Sequence, residues 1–186
     1  MDAISEAFRN VPREQFLPEA SRGRAGYDGP IDIGHGQTNS QPRTVEDMLR
    51  LLDVRRGQRV LDVGSGSGWT TALLAHLVGP DGEVHGVELV PELARAGAEN
   101  LATTGQSWAS IHPAEKGVLG LPDAAPFDRI LVSAGADALP QRLVDQLAVD
   151  GRMVVPVQGR MLLVARTADG TVTSEHGCYR FVPLLE

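Results

Sequence analysis

The stretch Arg59–Ala75, RVLDVGSGSGWTTALLA, decides the fold of this 186-residue chain. Its first five residues form a short apolar run that is typical of a buried strand, and WTTALLAHLVG predicts a helix that ends at Gly79. Gly64, Gly66 and Gly68 lie between the two, where the absence of a Cβ lets the backbone approach a ligand closely. A strand, a glycine loop and a helix in this order indicate a ligand site at the free N–H groups of the helix start.

Strand-like and helix-like segments alternate from residue 59 to about residue 150. The segments after the first helix are the strand Val84–Leu89, the helix PELARAGAENLATTG, the strand SWASIH, the strand Phe127–Ala134, the helix LPQRLVDQLAVDG, and the strands RMVVPV, MLLVART and CYRFVPL. Such alternation predicts parallel strands joined by right-handed crossovers. Ala168-Asp169-Gly170 adds a hairpin signal between two late strands. We therefore expect an α/β fold with a mixed, mostly parallel sheet and an antiparallel C-terminal end.

The segment before this alternating region is rich in glycine and proline. We expect a short helix at Ile4–Phe8 and a helix that begins near Thr44, with Thr44 as its N-cap. Between them, GHGQTNSQP at Gly34–Pro42 has no hydrophobic period and predicts a loop. We interpret residues 1–43 as an arm and loop that pack on a core of residues 44–186, one domain overall.

The composition excludes several partners. The net charge of −7 disfavours nucleic acid and anionic membranes, and no run approaches the roughly 18 apolar residues of a membrane span. Cys178 is the sole cysteine of the sequence, so no intrachain disulfide can form, and we expect it to be buried in the last strand. These features predict a cytoplasmic protein without nucleic acid or membrane partners, which we expect to be a monomer.

Glu88 supplies the second ligand signal. It ends the predicted second strand, 88 − 68 = 20 residues after Gly68, where a carboxylate can accept hydrogen bonds from both hydroxyls of a ribose. Asp62 lies in the first strand and could hold the loop or meet a positively charged part of the ligand. The G-x-G-x-G spacing differs from the dinucleotide G-x-G-x-x-G, and it favours S-adenosylmethionine over NAD.

Nearly the whole chain resembles the protein-L-isoaspartate O-methyltransferases. The resemblance rests on AFRNVPREQFLP, GHGQTNSQP, LLDVRRGQRVLDVGSGSGWTTALLA, VHGVELVPELA, LGLPDAAPFDRILVSAGADALP, LVDQLAVDGRMVVPV and RFVPL, and the GQTxSxP motif is its most specific part. It implies a Rossmann-like S-adenosylmethionine-dependent methyltransferase fold with a seven-stranded sheet. It also implies methyl transfer from S-adenosyl-L-methionine to the free carboxylate of L-isoaspartyl residues in damaged proteins or peptides, with S-adenosyl-L-homocysteine as product.

The resemblance also implies the site residues. The loop Gln37–Ser40 is expected to contact the cofactor, with Ser40 in the active site. The cofactor-binding candidates are Gln37, Thr38, Asn39, Ser40, Asp62, Gly64, Ser65, Gly66, Ser67, Gly68, Glu88, Leu89, Lys116 and Gly117. Within the matching motifs, the chain departs from the family where Glu115-Lys116-Gly117 replaces a usual Gly-Asp-Gly and where Asn39 replaces a usual isoleucine or valine.

The expected chemistry needs few catalytic groups. A carboxylate with a pKa of about 4 is already ionised at pH 7, and the cofactor carries an activated methyl group. The protein must then align the reactants and exclude water. Ser40 and Thr38 are the catalytic candidates, as hydroxyl donors that position the carboxylate rather than as nucleophiles. The five histidines have no metal-ligand spacing, so we expect no metal site.

Three other functions remain open from the sequence alone. Asn39 and the Glu115-Lys116 pair are compatible with a carboxylate methyltransferase for a dedicated peptide or a small acid. Lys116 is compatible with a non-catalytic binding module that keeps the fold, because lysine cannot accept the hydrogen bonds of an aspartate. A dinucleotide oxidoreductase is less favoured, since no second nucleotide-binding half is visible.

Overall fold

The computed structural model describes residues 2–185, which contain a seven-stranded sheet and a separate two-stranded hairpin. The strands are β1 Ile31–Gly34, β2 Gln37–Asn39, β3 Arg59–Val63, β4 Glu83–Glu88, β5 Ala109–Pro113, β6 Phe127–Val132, β7 Leu147–Val157, β8 Arg160–Thr167 and β9 Gly170–Cys178. The large sheet has the order β5-β4-β3-β6-β7-β8-β9. The neighbouring strands β5, β4, β3, β6 and β7 are parallel to one another, whereas β8 pairs antiparallel with both β7 and β9. The predicted mixed sheet with an antiparallel C-terminal end is confirmed.

Four helices contribute to the core on one face of the sheet, and one single-turn helix contributes to the core on the other face. They are α1 Ala3–Asn10, α2 Pro42–Leu52, α3 Trp69–Val78, α4 Pro91–Ala102 and α5 Gln141–Val144, with 3₁₀ turns at Arg13–Phe16, Glu19–Arg24 and Pro122–Ala124. Every residue of α3 except His76 is buried. Successive residues of β6 alternate between two cores, with Leu131 in one and Ile130 and Val132 in the other. Burial on both faces explains why this strand is a continuous apolar run.

The segment Gly34–Pro42 is not the loop that its polarity predicted. β1 and β2 pair antiparallel around a two-residue turn, His35-Gly36, with Gly34 opposite Gln37. Both turn residues have positive φ, 57° and 71°, as a tight hairpin turn of this kind requires. The helix that follows begins at Pro42 rather than at Thr44, because proline suits the first helical position.

Three predictions in the C-terminal part of the chain are also wrong. The expected helix LPQRLVDQLAVDG is a single turn, α5, after which Leu147 begins β7 and pairs with Phe127 of β6. The segment CYRFVPL is not a strand. β9 ends at Cys178, and the residues after it form no strand of the sheet beyond one isolated bridge, Gly135 to Pro183. Cys178 is exposed at the end of β9 instead of buried, because β9 is an edge strand.

No helix among residues 2–185 is both long enough and apolar enough to cross a membrane.

Candidate active site

A cleft, which we call the main cleft, lies at the carboxyl ends of β3, β4 and β6. This is the point where the chain switches sides of the sheet, since β3 has β4 on one side and β6 on the other. Open α/β sheets bind ligands at such a switch point. The lining consists of Gln37–Ser40, Val63–Ser67, Trp69, Thr70, Val87–Val90, Ala114, Val118–Gly120, Ser133, Ala134 and Val182–Leu185.

The glycine loop is tied to the neighbouring strand by backbone hydrogen bonds. The amides of Gly64 and Ser65 donate to the Val87 carbonyl oxygen at 2.9 and 3.1 Å. Gly64 has a φ of 80°, a conformation that side-chain-bearing residues rarely adopt. The hydroxyl of Ser65 is buried and has no partner in residues 2–185. The loop is therefore held in place by the sheet.

Glu88 both stabilises this loop and faces the cleft. Its Oε2 accepts a hydrogen bond from the Gly66 amide at 2.8 Å, and its Oε1 accepts one from the Val90 amide at 2.9 Å. The residue is only 6% exposed. Because each carboxylate oxygen has two lone pairs, each can accept one further hydrogen bond from a ligand hydroxyl. This is the acceptor pair that a ribose diol requires.

Asp62 lies beneath the loop and does not line the cleft. Its Oδ2 accepts hydrogen bonds from the hydroxyls of Thr70 and Thr71, both at 2.7 Å, so it anchors the start of α3. Its Oδ1 is buried without a partner in the described residues. The pKa of Asp62 is raised to about 6, chiefly because the carboxyl is buried; the two threonine hydroxyls lower it, and the nearby Glu88 charge adds to the rise.

The third glycine of the motif has a packing position. Gly68 has a φ of 92° and caps α3, and it is absent from the cleft lining. A Cβ at this position would lie 2.8 Å from the carbonyl oxygen of Gly97 in α4. Gly68 thus allows α3 and α4 to approach closely, a role that sets the position of the loop before it.

The turn that departs from the family pattern also lies off the cleft. Lys116 and Gly117 are exposed, and the lining instead includes Val118, Leu119 and Gly120. With Leu89 these residues form an apolar wall suited to a flat aromatic ring. Sequence reasoning missed this wall, although the apolar residues in GVLGLP directly after Gly117 are a signal that could have found it.

The C-terminal segment is a second part of the lining that sequence reasoning missed. The Gly135 amide donates to the Val182 carbonyl oxygen, and the Leu184 amide donates to the Gly135 carbonyl oxygen, both at 2.8 Å. These bonds bring Val182 to Leu185 over the cleft. Nothing in the local sequence indicates this contact, because it depends on a loop almost fifty residues earlier.

A second groove meets the main cleft at three hydroxyl-bearing residues. Thr38, Ser40 and Ser133 line both. The groove also contains Arg43 and Arg180, which are exposed and have no ion-pair partner within residues 2–185. We call it the cationic groove; its other lining residues are Pro30, Gln41, Thr44, Asp47, Cys178, Tyr179, Phe181 and Val182. The hydroxyl groups therefore separate a deep cleft from a more open, positively charged surface.

The main cleft fits S-adenosylmethionine chemically. Glu88 is the one acidic residue in its lining, which includes no lysine or arginine, so nothing there repels a sulfonium cation. Glu88 offers acceptors for the ribose, the glycine loop offers close backbone approach, and Leu89 and Val118 offer an apolar wall. Residues 2–185 contain no group of three or more His, Cys, Asp or Glu side chains arranged to hold a metal ion.

Several known proteins with similar sequences carry the same name as the matching family model. The family model "Protein-L-isoaspartate(D-aspartate) O-methyltransferase (PCMT)" matches residues 1–186. A protein-L-isoaspartate O-methyltransferase of Methanopyrus kandleri is 46% identical over 187 residues, which is 98% of this chain and 83% of that protein. One from Aeropyrum pernix is also 46% identical, over 98% of this chain and 72% of that protein.

Two solved structures with similar folds carry the name of the same family. A structure titled protein-L-isoaspartate O-methyltransferase has a TM-score of 0.89 and 27% identity; it covers 99% of this chain, which spans only 61% of that protein. A putative Plasmodium falciparum enzyme of the same name, in complex with S-adenosyl-L-homocysteine, has a TM-score of 0.86 and 27% identity, over 99% of this chain and 90% of that one. The expected fold and cofactor class are confirmed, and the chain belongs to the protein-L-isoaspartate(D-aspartate) O-methyltransferase family.

Proposed function

We propose that this protein transfers the methyl group of S-adenosyl-L-methionine to the free α-carboxylate of L-isoaspartyl residues in damaged proteins and peptides. The observation that carries the proposal is the meeting of the main cleft and the cationic groove at Thr38, Ser40 and Ser133. A methyl donor in the cleft and a carboxylate at the end of the groove meet at these hydroxyls. The names of the relatives support the same substrate.

The bound cofactor supplies a methyl group activated by its sulfonium. A carboxylate oxygen of the substrate forms a bond to the methyl carbon, the carbon–sulfur bond breaks with its electrons going to sulfur, and S-adenosyl-L-homocysteine leaves. No proton has to move, because the carboxylate is ionised at neutral pH. The protein therefore needs to hold the reactants in line and to keep water away from the carboxylate.

On the cofactor side, Glu88 accepts hydrogen bonds from the ribose hydroxyls, and the backbone of Gly64 to Ser67 contacts the methionine end. Leu89, with the wall at Val118–Gly120, holds the adenine. Asp62 and Gly68 act from behind the cleft, by fixing the loop. Their positions support these roles: the first group lines the cleft and the second does not. Adenine contact by Lys116 and Gly117 stays a prediction, since both lie off the lining.

On the substrate side, Ser40 and Thr38 donate hydrogen bonds to the carboxylate. A hydroxyl holds the carboxylate without neutralising it as a lysine or arginine would, so the oxygen keeps its nucleophilicity. Gln37 and Asn39 complete the wall between cofactor and substrate. The residues that flank the isoaspartate lie in the cationic groove, where Arg43 and Arg180 favour acidic neighbours.

We also propose that the protein acts as a cytoplasmic monomer, without a nucleic acid partner. The net charge of −7 supports the last point, and a single cysteine fits a reducing compartment. Residues 1–43 serve as the arm and active-site hairpin of a methyltransferase core formed by residues 44–186. The packing of Ala7, Val11 and Phe16 into the same core as α3 supports one continuous domain.

The test is transfer of labelled methyl groups to an isoaspartyl peptide, to the aspartyl peptide of the same sequence, and to a free isoaspartyl dipeptide. We expect base-labile label in the isoaspartyl peptide and little in the aspartyl one. Equal labelling of the two peptides contradicts a repair function. Preferential labelling of the dipeptide favours the small-acid alternative that Asn39 left open.

A further inference from the structure

A buried cation joins the N-terminal arm to the hairpin. Arg13 lies in the 3₁₀ turn after α1 and is only 5% exposed. Its Nη1 donates to the carbonyl oxygen of Tyr27 and its Nη2 to that of Gly29, both at 2.8 Å. Nη2 also donates to the carbonyl oxygens of Asn39 at 3.0 Å and Ser40 at 2.9 Å. Backbone carbonyls thus surround this guanidinium, and Arg13 fixes the main chain at the hydroxyl proposed to hold the substrate.

The side chain of Asn39 bonds to both Arg13 and Ser67. Its Oδ1 accepts a hydrogen bond from Nε of Arg13 at 2.7 Å, and its Nδ2 donates to Oγ of Ser67 at 3.2 Å. The orientation of the amide is fixed, because an arginine nitrogen can only donate and must face the amide oxygen. Asn39 is only 5% exposed, so losing either bond would leave a buried polar group unpaired.

Ser67 carries the connection into the glycine loop. Its carbonyl oxygen accepts a hydrogen bond from Nδ2 of Asn100 in α4 at 3.0 Å, so the loop is tied to a helix as well. A continuous set of bonds therefore runs from α4 through Ser67 and Asn39 to Arg13, and from Arg13 to the Ser40 carbonyl. One end lies at the proposed cofactor site and the other at the proposed substrate site.

We propose that Arg13 and Asn39 are positioning residues that couple the two halves of the site. A cofactor that fixes the glycine loop also fixes Ser67, and through Asn39 and Arg13 it fixes the backbone of Ser40. Binding couplings are reciprocal, so a bound substrate strengthens cofactor binding by the same factor. This inference rests on the proposed function, because the coupling has meaning only if the substrate carboxylate lies at Ser40.

The test compares Asn39→Leu with Asn39→Asp. Leucine has a similar volume and makes neither hydrogen bond, whereas an aspartate can accept from both Arg13 and the Ser67 hydroxyl. The measurement is calorimetric affinity for S-adenosyl-L-homocysteine, with and without a saturating isoaspartyl peptide, together with kcat, KM and melting temperature. Ser67→Ala serves as a second variant, because it removes one link and leaves the Arg13 contacts to Ser40 intact.

The quantity compared is the ratio of the affinities for S-adenosyl-L-homocysteine with and without the peptide. We expect this ratio to be about five or more in the wild type and in Asn39→Asp. In Asn39→Leu the ratio falls close to one, and kcat falls roughly 10- to 100-fold, because Ser40 is no longer held in place. In Ser67→Ala the ratio also falls, while kcat falls less. A melting temperature near that of the wild type in Ser67→Ala separates lost coupling from lost folding.

An unchanged ratio in Asn39→Leu overturns the inference, and so does equal loss in Asn39→Leu and Asn39→Asp, or a wild-type ratio of one. The wild-type assay separates this from failure of the proposed function. If the wild type methylates the isoaspartyl peptide and the ratios are unchanged, only the coupling is wrong. If the wild type transfers no methyl group to that peptide, the proposed function fails and the coupling fails with it.

Discussion

The glycine-loop side of the cleft and the hairpin side are held by different means. The glycine loop joins β3 to α3, and the amides of Gly64, Ser65 and Gly66 donate to the Val87 carbonyl oxygen and the Glu88 carboxylate of β4. The hairpin is joined to the N-terminal arm and to the glycine loop by side-chain hydrogen bonds, from Arg13 to Asn39 and from Asn39 to Ser67. The first side has the rigidity of the sheet, whereas the second depends on these polar bonds and on a small apolar cluster of Leu17, Ile31, Ile33 and Leu93. Substitutions on the two sides should therefore have different effects: those on the glycine-loop side should weaken cofactor binding, and those on the hairpin side should lower turnover.

The largest effect is expected on the glycine-loop side, for Glu88→Ala. This change removes both ribose acceptors and leaves the Gly66 and Val90 amides without partners. Hydrogen bonds to a charged group are worth about 1.5–3 kcal/mol each, so affinity for S-adenosyl-L-homocysteine should fall roughly 1,000-fold by calorimetry. Glu99→Ala, an exposed change on α4, is the control. An affinity within threefold of the wild type would refute the assignment of Glu88.

Asp62 gives the glycine-loop side a pH dependence. Burial raises the pKa of Asp62 to about 6, so the folded state holds the proton more tightly than the unfolded state. Its contribution to stability is full below about pH 4 and is lost as the pH rises through about 6, a change of roughly 3 kcal/mol.

The measurement for Asp62 is the free energy of unfolding against pH, for the wild type and Asp62→Asn. Asparagine cannot titrate, yet its oxygen can still accept from Thr70 and Thr71. We expect the wild type to lose stability relative to Asp62→Asn between pH 4 and pH 7. Parallel curves would show that Asp62 has an ordinary pKa.

On the hairpin side, Ser40→Ala should lower turnover and leave cofactor binding nearly unchanged. Loss of one positioning hydroxyl is expected to reduce kcat on an isoaspartyl peptide roughly 10- to 100-fold. Affinity for S-adenosyl-L-homocysteine should stay within about threefold, because the ribose and adenine contacts remain. Ser107→Ala, exposed and far from the cleft lining, is the matched control. Wild-type turnover in Ser40→Ala would remove Ser40 from the mechanism.

The cationic groove should set substrate preference. The double change Arg43→Glu with Arg180→Glu reverses its charge, and we expect kcat/KM to fall about 5- to 10-fold for a peptide with acidic residues beside the isoaspartate. For a peptide with lysines at the same positions, kcat/KM of the double variant should rise. Arg9→Glu with Arg95→Glu alters the net charge equally at exposed sites outside both clefts. The same shift in this control would mean that the overall charge, not the groove, decides.

The smallest effect is expected for Lys116→Ala. Because Lys116 is exposed and off the cleft lining, affinity for S-adenosyl-L-homocysteine should stay within about twofold. Val118→Ala, two residues on, removes apolar contact in the cleft and should cost roughly three- to tenfold. If Lys116→Ala weakened binding more than Val118→Ala, the turn at 115–117 would have to close onto the adenine.

The glycine-loop side could be predicted from the sequence because its signals are local. The predicted strand Val84–Leu89 corresponds to β4, Glu83–Glu88, and the predicted helix end at Gly79 is the C-cap of α3. Apolar runs and glycines determine these elements within a few residues of one another. Glu88 could likewise be placed at the carboxyl end of its strand, since the strand end and the 20-residue spacing from Gly68 are both visible in the sequence.

The hairpin side could not be predicted in the same way. β1 and β2 have four and three residues, too few for an alternating pattern to stand out. Arg13 gave no signal, because arginine is ordinarily exposed and its carbonyl partners come from a distant segment. The helix predicted at LPQRLVDQLAVDG was wrong for a related reason: the spacing of Leu143, Val144 and Leu147 suits a helix, but Leu147 pairs with Phe127 in the sheet.

The most direct test of the account follows one isoaspartyl peptide over repeated turnover with S-adenosyl-L-methionine, with mass spectrometry and chromatography resolving each species. The account predicts that a methyl ester of the isoaspartyl peptide appears first, then a succinimide, and that the aspartyl peptide accumulates while the isoaspartyl peptide declines. The matched aspartyl peptide, incubated in the same way, should stay unmethylated. Absence of the ester, or equal esterification of the two peptides, would contradict the account.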